Sequence, residues 1–174
     1  MSECFDDRLP DTFKVRWVLP QNVDCSTFVG RDVFVIAQDI YITFFNLKTN
    51  TELVYVADSV ATGDGVDVIA GHKTNTFAFA EKVNHGRIFI MNYPTFNIVA
   101  ELKDANVNRY KGLCMMECEL LAGFSGFPNY LVTVWNWRTQ QQLQSVPTEG
   151  QSNSSAGLRV LGRGLGGVGG GLGV

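Results

Sequence analysis

The sequence predicts an all-β repeat protein, and two observations support this prediction. Residues 128–139 are mostly β-branched and aromatic and begin with a Pro-Asn turn, which is typical of a strand buried on at least one face. The stretch contains Asn-x-x-Thr, and this pattern also follows two earlier apolar runs, so that the three copies lie 46 and 44 residues apart. We therefore assign seven structural repeat positions: Asn46, Thr49, Asn92, Thr95, Trp135, Asn136 and Thr139.

Each repeat is predicted to contain four short strands separated by polar turns. The three predicted units span 23–58, 66–102 and 109–146. Two series of apolar residues recur with a spacing of 43 residues. One is Val23 and Val66, and the other is Phe34, Phe77 and Leu120. Two independent series with one period indicate a true internal repeat rather than chance similarity.

A single four-stranded sheet leaves both faces in water, whereas sheets stacked radially bury their faces against one another, as in a β-propeller. A period of about 40–50 residues fits WD40 or kelch units, and the paired glycines of kelch units are absent from the repeats at 23–146. Trp135-Asn136 stands where WD40 units have Trp-Asp. The expected fold class is thus an incomplete β-propeller of about three WD40-like blades. The alternative is a β-sandwich of seven or more strands, which the fixed period disfavours.

The marker residues have expected structural roles. Trp135 should be a core residue on the same strand face as Leu131 and Thr133, because alternate strand residues share a face. The three asparagines should bond turn backbone through their side chains, with the three threonines assisting. The alternative is that asparagine only tolerates the turn dihedral angles at Asn46, Asn92 and Asn136.

Three blades are too few to close a ring, because closed propellers use about four to eight. The outer faces of the first and third units should therefore be partly uncovered. The residues expected there are Phe34 and Ile36, or Val33 and Val35, in the first unit, and Tyr130, Val132 and Val134 in the third. We expect the isolated chain to associate rather than behave as a monomer.

The flanking segments differ from the repeats. Residues 1–22 carry little pattern, although 13–19 alternate and could form one extra strand. Half of the chain's 18 glycines lie in 157–174, after a polar Ser-rich stretch. Such a composition loses much backbone entropy on ordering, so 147–174 is predicted to be a disordered tail.

Bulk properties exclude several functions. A net charge of −3 with 18% charged residues gives no footprint for nucleic acid or an acidic membrane surface. The N-terminus has no apolar signal region and no run approaches the ~20 apolar residues of a membrane span, so a cytosolic protein is expected. The cysteines lack disulfide or zinc spacing and are expected to be small apolar fillers in a reducing compartment: Cys4, Cys25, Cys114 and Cys118.

No catalytic, cofactor-binding or metal-binding residue is predicted. His72 and His85 lie in predicted turns without a partner for acid-base or nucleophilic chemistry. The turn 63–65 lacks the lysine of a phosphate loop, and Glu81-Lys82 could form an exposed hairpin ion pair. An aromatic platform for single-stranded nucleic acid would need basic neighbours, so packing between blades is the expected role of Tyr130, Trp135 and Trp137.

Segments 77–82, 88–94 and 125–137 together resemble the cilia- and flagella-associated WD40 proteins of the 43 and 44 group. The run 63–70 leans toward the 44-like member. The resemblance covers about residues 30–145, and the sequence departs from the family pattern at Asn129 and at Asn75-Thr76. Family members continue into further propeller repeats and coiled coil, so this chain would correspond to a fragment of the N-terminal propeller.

The resemblance implies a non-enzymatic structural protein of the ciliary or flagellar axoneme that helps to tether an inner dynein and so regulates beating. It implies protein partners among axonemal or dynein-tether components, without nucleic acid, membrane or small-molecule substrate, in the cytoplasm, cytoskeleton and cilium. One alternative is a generic cytoplasmic WD40 adaptor for protein-protein interaction. Another is a fragment of an enzyme.

Overall fold

The computed structural model describes residues 25–57, 65–82 and 86–148, and within them it contains twelve strands and no helix. The strands are β1 Cys25–Val29, β2 Val33–Gln38, β3 Tyr41–Asn46, β4 Thr51–Val56, β5 Val66–Gly71, β6 Thr76–Glu81, β7 Arg87–Asn92, β8 Ile98–Lys103, β9 Tyr110–Met115, β10 Leu120–Ser125, β11 Leu131–Asn136 and β12 Gln141–Pro147. The possible strand at 13–19 lies outside the described residues, as do residues 149–174 of the predicted tail. The predicted start of that tail at 147 is wrong, because Pro147 is the last residue of β12.

The strands form three antiparallel four-stranded sheets, each a meander in chain order. Blade 1 comprises β1–β4, blade 2 comprises β5–β8 and blade 3 comprises β9–β12. The expected all-β architecture of stacked four-stranded blades is confirmed, and the set is not closed into a ring within the described residues. The first strands of adjacent blades lie against each other, β1 against β5 and β5 against β9, so these strands are innermost.

Each blade has two faces, named here by the neighbour they approach. The forward face looks toward the next blade along the chain, and the backward face looks toward the preceding one. The forward face of blade 1 packs on the backward face of blade 2, in a core that includes Val35, Ile42, Phe44, Phe77, Phe79 and Met91. The forward face of blade 2 packs on the backward face of blade 3, in a core that includes Ala78, Ala80, Ile88, Ile90, Leu121 and Trp135.

Strand β6 shows how the strand period of two produces this stacking. Phe77 and Phe79 belong to the first core, and Ala78 and Ala80 belong to the second. Because successive side chains of a strand point to opposite faces, β6 supplies both interfaces, and all six of its residues are buried. Blade 2 is therefore covered on both sides, whereas blades 1 and 3 are each covered by a neighbouring described blade on one side.

One predicted anchor is displaced by one residue. Phe77 pairs with Met91 one residue before Asn92, and Leu121 pairs with Trp135 one residue before Asn136. Leu121, rather than Leu120, is thus the structural equivalent of Phe77, and the period from blade 2 to blade 3 is 44 at this strand. The distinction matters because a shift of one residue moves a side chain to the other face.

The expectation about uncovered faces holds in part. The outward side of blade 1 is the one that carries Phe34, which is half-buried, but Ile36 beside it is buried at 5% exposure. Val132 and Val134 on the outward side of blade 3 are half-buried, and Tyr130 is 39% exposed. The expected exposure is therefore wrong for Ile36.

The cysteines do not all serve as apolar fillers. Cys25 and Cys114 are half-buried, but Cys118 is exposed in the turn after β9, at a positive φ of 61°. A side chain in solvent fills no core, so the expectation is wrong for Cys118. Cys4 lies outside the described residues.

Candidate interaction surface

The turns between β3 and β4 and between β11 and β12 are closed by asparagine side chains. Asn46 Oδ1 accepts hydrogen bonds from the backbone N–H of Lys48 at 3.1 Å and of Thr49 at 3.0 Å. Asn136 Oδ1 accepts from the N–H of Arg138 at 3.1 Å and of Thr139 at 3.0 Å. Two backbone donors that the turn leaves unpaired are thereby satisfied at each site. The expected hydrogen bonding is confirmed here, with Thr49 and Thr139 taking part through their N–H groups.

The turn after β7 is built differently. Asn92 Oδ1 accepts a hydrogen bond from the Thr76 hydroxyl at 3.3 Å, and the turn closes instead through the Phe96 N–H, which donates to the Asn92 carbonyl at 2.7 Å. Thr95 is exposed in this turn. The expectation that the Asn92 side chain bonds the turn backbone is therefore wrong. The Phe96 N–H donates to the backbone carbonyl of Asn92 instead of to its side chain.

Trp135 and Trp137 lie between blades 2 and 3. Their side chains are 3% and 4% exposed, and both belong to the core with Ile88 and Ile90. Thr133 on the same strand face is fully buried and Leu131 is half-buried, as expected from the alternation. Buried indoles offer no stacking platform to a nucleic acid, so inter-blade packing is the role of both tryptophans.

Ion pairs join adjacent blades near their inner strands. Arg109 binds Asp67 through two hydrogen bonds, Nε to Oδ2 at 2.5 Å and Nη2 to Oδ1 at 2.7 Å. The Asp67 side chain is only 9% exposed and the Arg109 side chain 43%. Lys73 similarly contacts Glu117 at 2.5 Å, across the same blade pair. The sequence signal for both pairs was available, since opposite charges stand about one repeat apart, 42 and 44 residues.

The predicted exposed pair Glu81-Lys82 is wrong. Glu81 is 2% exposed, and its Oε2 lies 3.0 Å from Arg87 Nη2 on the next strand. Lys82 instead lies 3.8 Å from Asp39 of blade 1.

Tyr110 fills a gap between two glycines. A Cβ at Gly86 or at Gly123 would lie 2.7 Å from its ring, so only glycine leaves room for it at either position. Burial, with the nearby Asp104 carboxylate, raises the pKa of the Tyr110 phenol well above its usual range. The phenol therefore stays protonated and contributes packing rather than acid-base chemistry.

Two cavities border the blade junctions. One of about 570 Å³ lies at the turn end of the blade 2 and blade 3 junction. It is lined by both charged pairs of that end and by one tryptophan, namely Lys73 with Glu117, Arg138 with Glu119, and Trp137. A second, also about 570 Å³, is bordered by the innermost strands of all three blades, including Ser26, Ile69 and Leu113. The lining of the first cavity also includes the Thr74 hydroxyl and the His72 ring.

One of the two histidines, His72, lines the first cavity. His72 follows β5 in a loop, as expected, and its Nδ1 shares a hydrogen bond with the Thr74 hydroxyl at 2.7 Å. His85 lies outside the described residues. Among the residues that the structure describes, no group of three or more His, Cys, Asp or Glu side chains could hold a metal ion. The same residues contain no helix long and apolar enough to cross a membrane.

The two departures from the family pattern have visible structural consequences. Asn129 Nδ2 donates to the Asn106 carbonyl at 2.5 Å, a bond that an aspartate cannot make because its carboxylate has no N–H. Asn75 adopts a positive φ of 58°, a conformation that asparagine tolerates better than most residues. Both substitutions thus suit the turns in which they occur.

Solved structures define the class of protein. A crystal structure of the RRP9 WD40 repeats aligns with a TM-score of 0.62 at 15% identity, over 78% of this chain and 41% of that one. A chain of a mitotic checkpoint complex structure aligns with a TM-score of 0.61 at 11% identity, over 73% of this chain and 38% of that one. The chain therefore has a WD40 β-propeller fold, of which three blades are described.

The curated sequences that match this chain are ciliary and flagellar proteins. Cilia- and flagella-associated protein 43 of Xenopus laevis is 26% identical over 153 residues, which is 85% of this chain and 9% of that protein. Cilia- and flagella-associated protein 44 of Mus musculus is 29% identical over 113 residues, and that of Chlamydomonas reinhardtii is 30% identical over 87. The last two matches span 64% and 45% of this chain and 6% and 5% of the relatives. No family model matches the chain.

The chain's curated homologues are thus cilia- and flagella-associated proteins 43 and 44, as the sequence motifs indicated. Both members are represented among these matches, so they do not distinguish the 44-like choice. The chain spans less than a tenth of the length of each of these relatives.

Proposed function

We propose that this protein is a non-enzymatic structural component of the cilium or flagellum that acts through protein-protein contacts. The observation that carries the proposal is the similarity to cilia- and flagella-associated proteins over as much as 85% of the chain. The fold supports it, because WD40 propellers offer rigid scaffolds with exposed loops and blade edges. The polar cavity between blades 2 and 3 is lined by exposed ion pairs, which offer charged contacts to another protein.

Within the axoneme, the finer role is tethering of an inner dynein and regulation of ciliary beating, with axonemal or dynein-tether proteins as partners. This role is carried over from the resemblance to the 43 and 44 group. It predicts that the protein stays with the microtubule scaffold when membrane and soluble proteins are removed.

The experiment is expression of a tagged chain at native level in a ciliated cell whose endogenous copy is deleted. The proposal expects the tag along the axoneme after detergent extraction, inner dynein among its proximity-labelled neighbours, and altered beating in the deleted cell. A tag confined to the soluble cytoplasm, with normal beating after deletion, would instead support the generic WD40 adaptor. An axonemal tag without labelled dynein would keep the location and reject the tether.

A further inference from the structure

The two outward faces of the three-blade set carry complementary apolar surfaces. On the backward face of blade 1, four large apolar side chains are about half exposed: Phe28 52%, Tyr41 51%, Val54 50% and Val56 49%. On the forward face of blade 3, Val146 is 45% exposed, and Phe124, Val132 and Val134 beside it are half-buried. No other sheet of the described residues packs on either face. Exposed apolar area of this extent marks an association site.

The internal repeat indicates what fits these faces. Twice within the chain a forward face packs on a backward face, from blade 1 to blade 2 and from blade 2 to blade 3. The two outward faces are one of each kind, a backward face on blade 1 and a forward face on blade 3. A second copy of the chain therefore presents the correct complement at both ends simultaneously.

We infer that two copies of this chain associate head to tail, with the forward face of blade 3 packed on the backward face of blade 1 of the other copy. This contact is heterologous, and two such contacts close a ring of six blades. Six lies within the four to eight blades of closed propellers. The inference is independent of the ciliary role, since it rests on the blade faces alone.

The repeat also predicts which residues meet at the new junction. Strand pairing makes Thr27, Ala70 and Cys114 equivalent on the forward faces, because they pair with Val35, Ala78 and Ala122. Phe28, Gly71 and Met115 are equivalent on the backward faces, where they pair with Phe34, Phe77 and Leu121. At the existing junction, Thr27 Oγ1 lies 3.1 Å from Gly71 N. Cys114 of one copy should thus lie beside Phe28 of the other.

The first test is mass by light scattering during size exclusion at micromolar concentration. The inference expects twice the 19.2 kDa of one chain. Val54→Asp places a charge on the backward face of blade 1 and should yield monomers that remain folded by circular dichroism. The matched control is Leu47→Asp, at a side chain that is 59% exposed in the turn after β3, which should stay dimeric. A parent chain that is monomeric, or a Val54→Asp variant that stays dimeric, would overturn the inference.

The second test is disulfide trapping, which reports how the two copies are oriented relative to each other. It does not depend on a variant that disrupts the dimer. With Cys4, Cys25 and Cys118 replaced by serine, Phe28→Cys should cross-link to Cys114 of the other copy under mild oxidation. Thr27→Cys is the control, because Thr27 faces Gly71 within its own chain and should not cross-link. Dimers linked through Cys114 alone, without the added cysteine, would indicate face-to-face pairing and contradict the head-to-tail arrangement.

Discussion

The two inter-blade junctions occupy the same place in the repeat yet differ in chemistry. The first is aromatic, and Phe44 lies at its centre with ring centroids of Phe77, Tyr93 and Phe96 at 5.0, 5.1 and 5.2 Å. The second sets a forward face rich in alanine and isoleucine against Trp135 and Trp137, and the Asp67–Arg109 pair lies beside it.

The difference teaches that the repeat preserves the stacking of the blades without preserving residue identity. Val35 and Phe44 on the forward face of blade 1 become the smaller Ala78 and Ile90 on blade 2. On the opposing side, Met91 of blade 2 becomes Trp135 of blade 3. At this position a smaller forward pair faces a larger backward side chain, whereas Phe77 and Phe79 of blade 2 become the smaller Leu121 and Gly123 of blade 3.

The largest expected effect follows from this matching. Trp135→Ala removes a buried indole from the second junction and should lower the free energy of unfolding by about 3–5 kcal/mol. Trp135→Met places the side chain of the equivalent position in blade 2 and should cost less. Urea denaturation measures both variants. A loss below about 1 kcal/mol for Trp135→Ala would show that the indole does not support the junction.

Amide hydrogen exchange of one variant at each junction compares the two junctions directly. Because stacked repeats contact mainly their neighbours, a substitution should reduce amide protection most in the blades next to it. Trp135→Ala should reduce protection in blade 3 more than in blade 1. Phe77→Ala, at the first junction, should produce the reverse order. Equal loss of protection throughout either variant would indicate one cooperative unit instead of separable junctions.

A smaller effect is expected from the ion pair that sets the second junction apart. Arg109→Met keeps the length of the side chain but leaves the nearly buried Asp67 carboxylate without its bidentate partner. Hydrogen bonds to charged groups contribute about 1.5–3 kcal/mol, and the partial exposure of Arg109 favours the lower end. Asp67→Asn combined with Arg109→Met should recover part of the loss, since no buried charge then remains. A double variant as unstable as the sum of the single ones would contradict the pairing.

The sequence was sufficient for the blades because period-two alternation and turn residues act locally. The alternation correctly places Trp135 on the strand face that is buried against blade 2. A fixed period of 43 predicts Leu120 as the equivalent of Phe77, whereas strand pairing shows that the equivalent is Leu121. Sequence spacing alone does not reveal a difference of one residue. Glu81 was expected in solvent because its partner Arg87 lies across a hairpin, beyond what neighbouring residues indicate.

Substitutions of the turn asparagines should have smaller effects on stability, and they compare the turns of blades 2 and 3. Asn136→Ala removes an acceptor for two backbone donors and should cost about 0.5–1.5 kcal/mol. Asn92→Ala removes only the contact with the Thr76 hydroxyl and should cost less. Thermal unfolding of the two variants side by side decides between them. If Asn92→Ala is the more destabilising, then the side-chain bonds do not determine turn stability.

The smallest effect belongs to the exposed pair at the turn end of the second junction. The hydrogen bond from Lys73, together with its positive charge, lowers the pKa of the Glu117 carboxyl, and nearby His72 acts in the same direction. A lowered pKa in the folded state means that the contribution to stability is present above the unfolded pKa of about 4.3 and is lost as pH falls through the folded pKa.

Glu117→Gln should therefore unfold at a slightly lower temperature than the parent at pH 7. The difference should shrink as pH falls through the folded pKa, where the carboxylate becomes protonated, and in about 1 M salt, where its charge is screened. Lys73→Met is the matched partner, and the double variant should match either single one. A difference that persists at low pH would show that Glu117 acts through packing at the junction rather than through its charge.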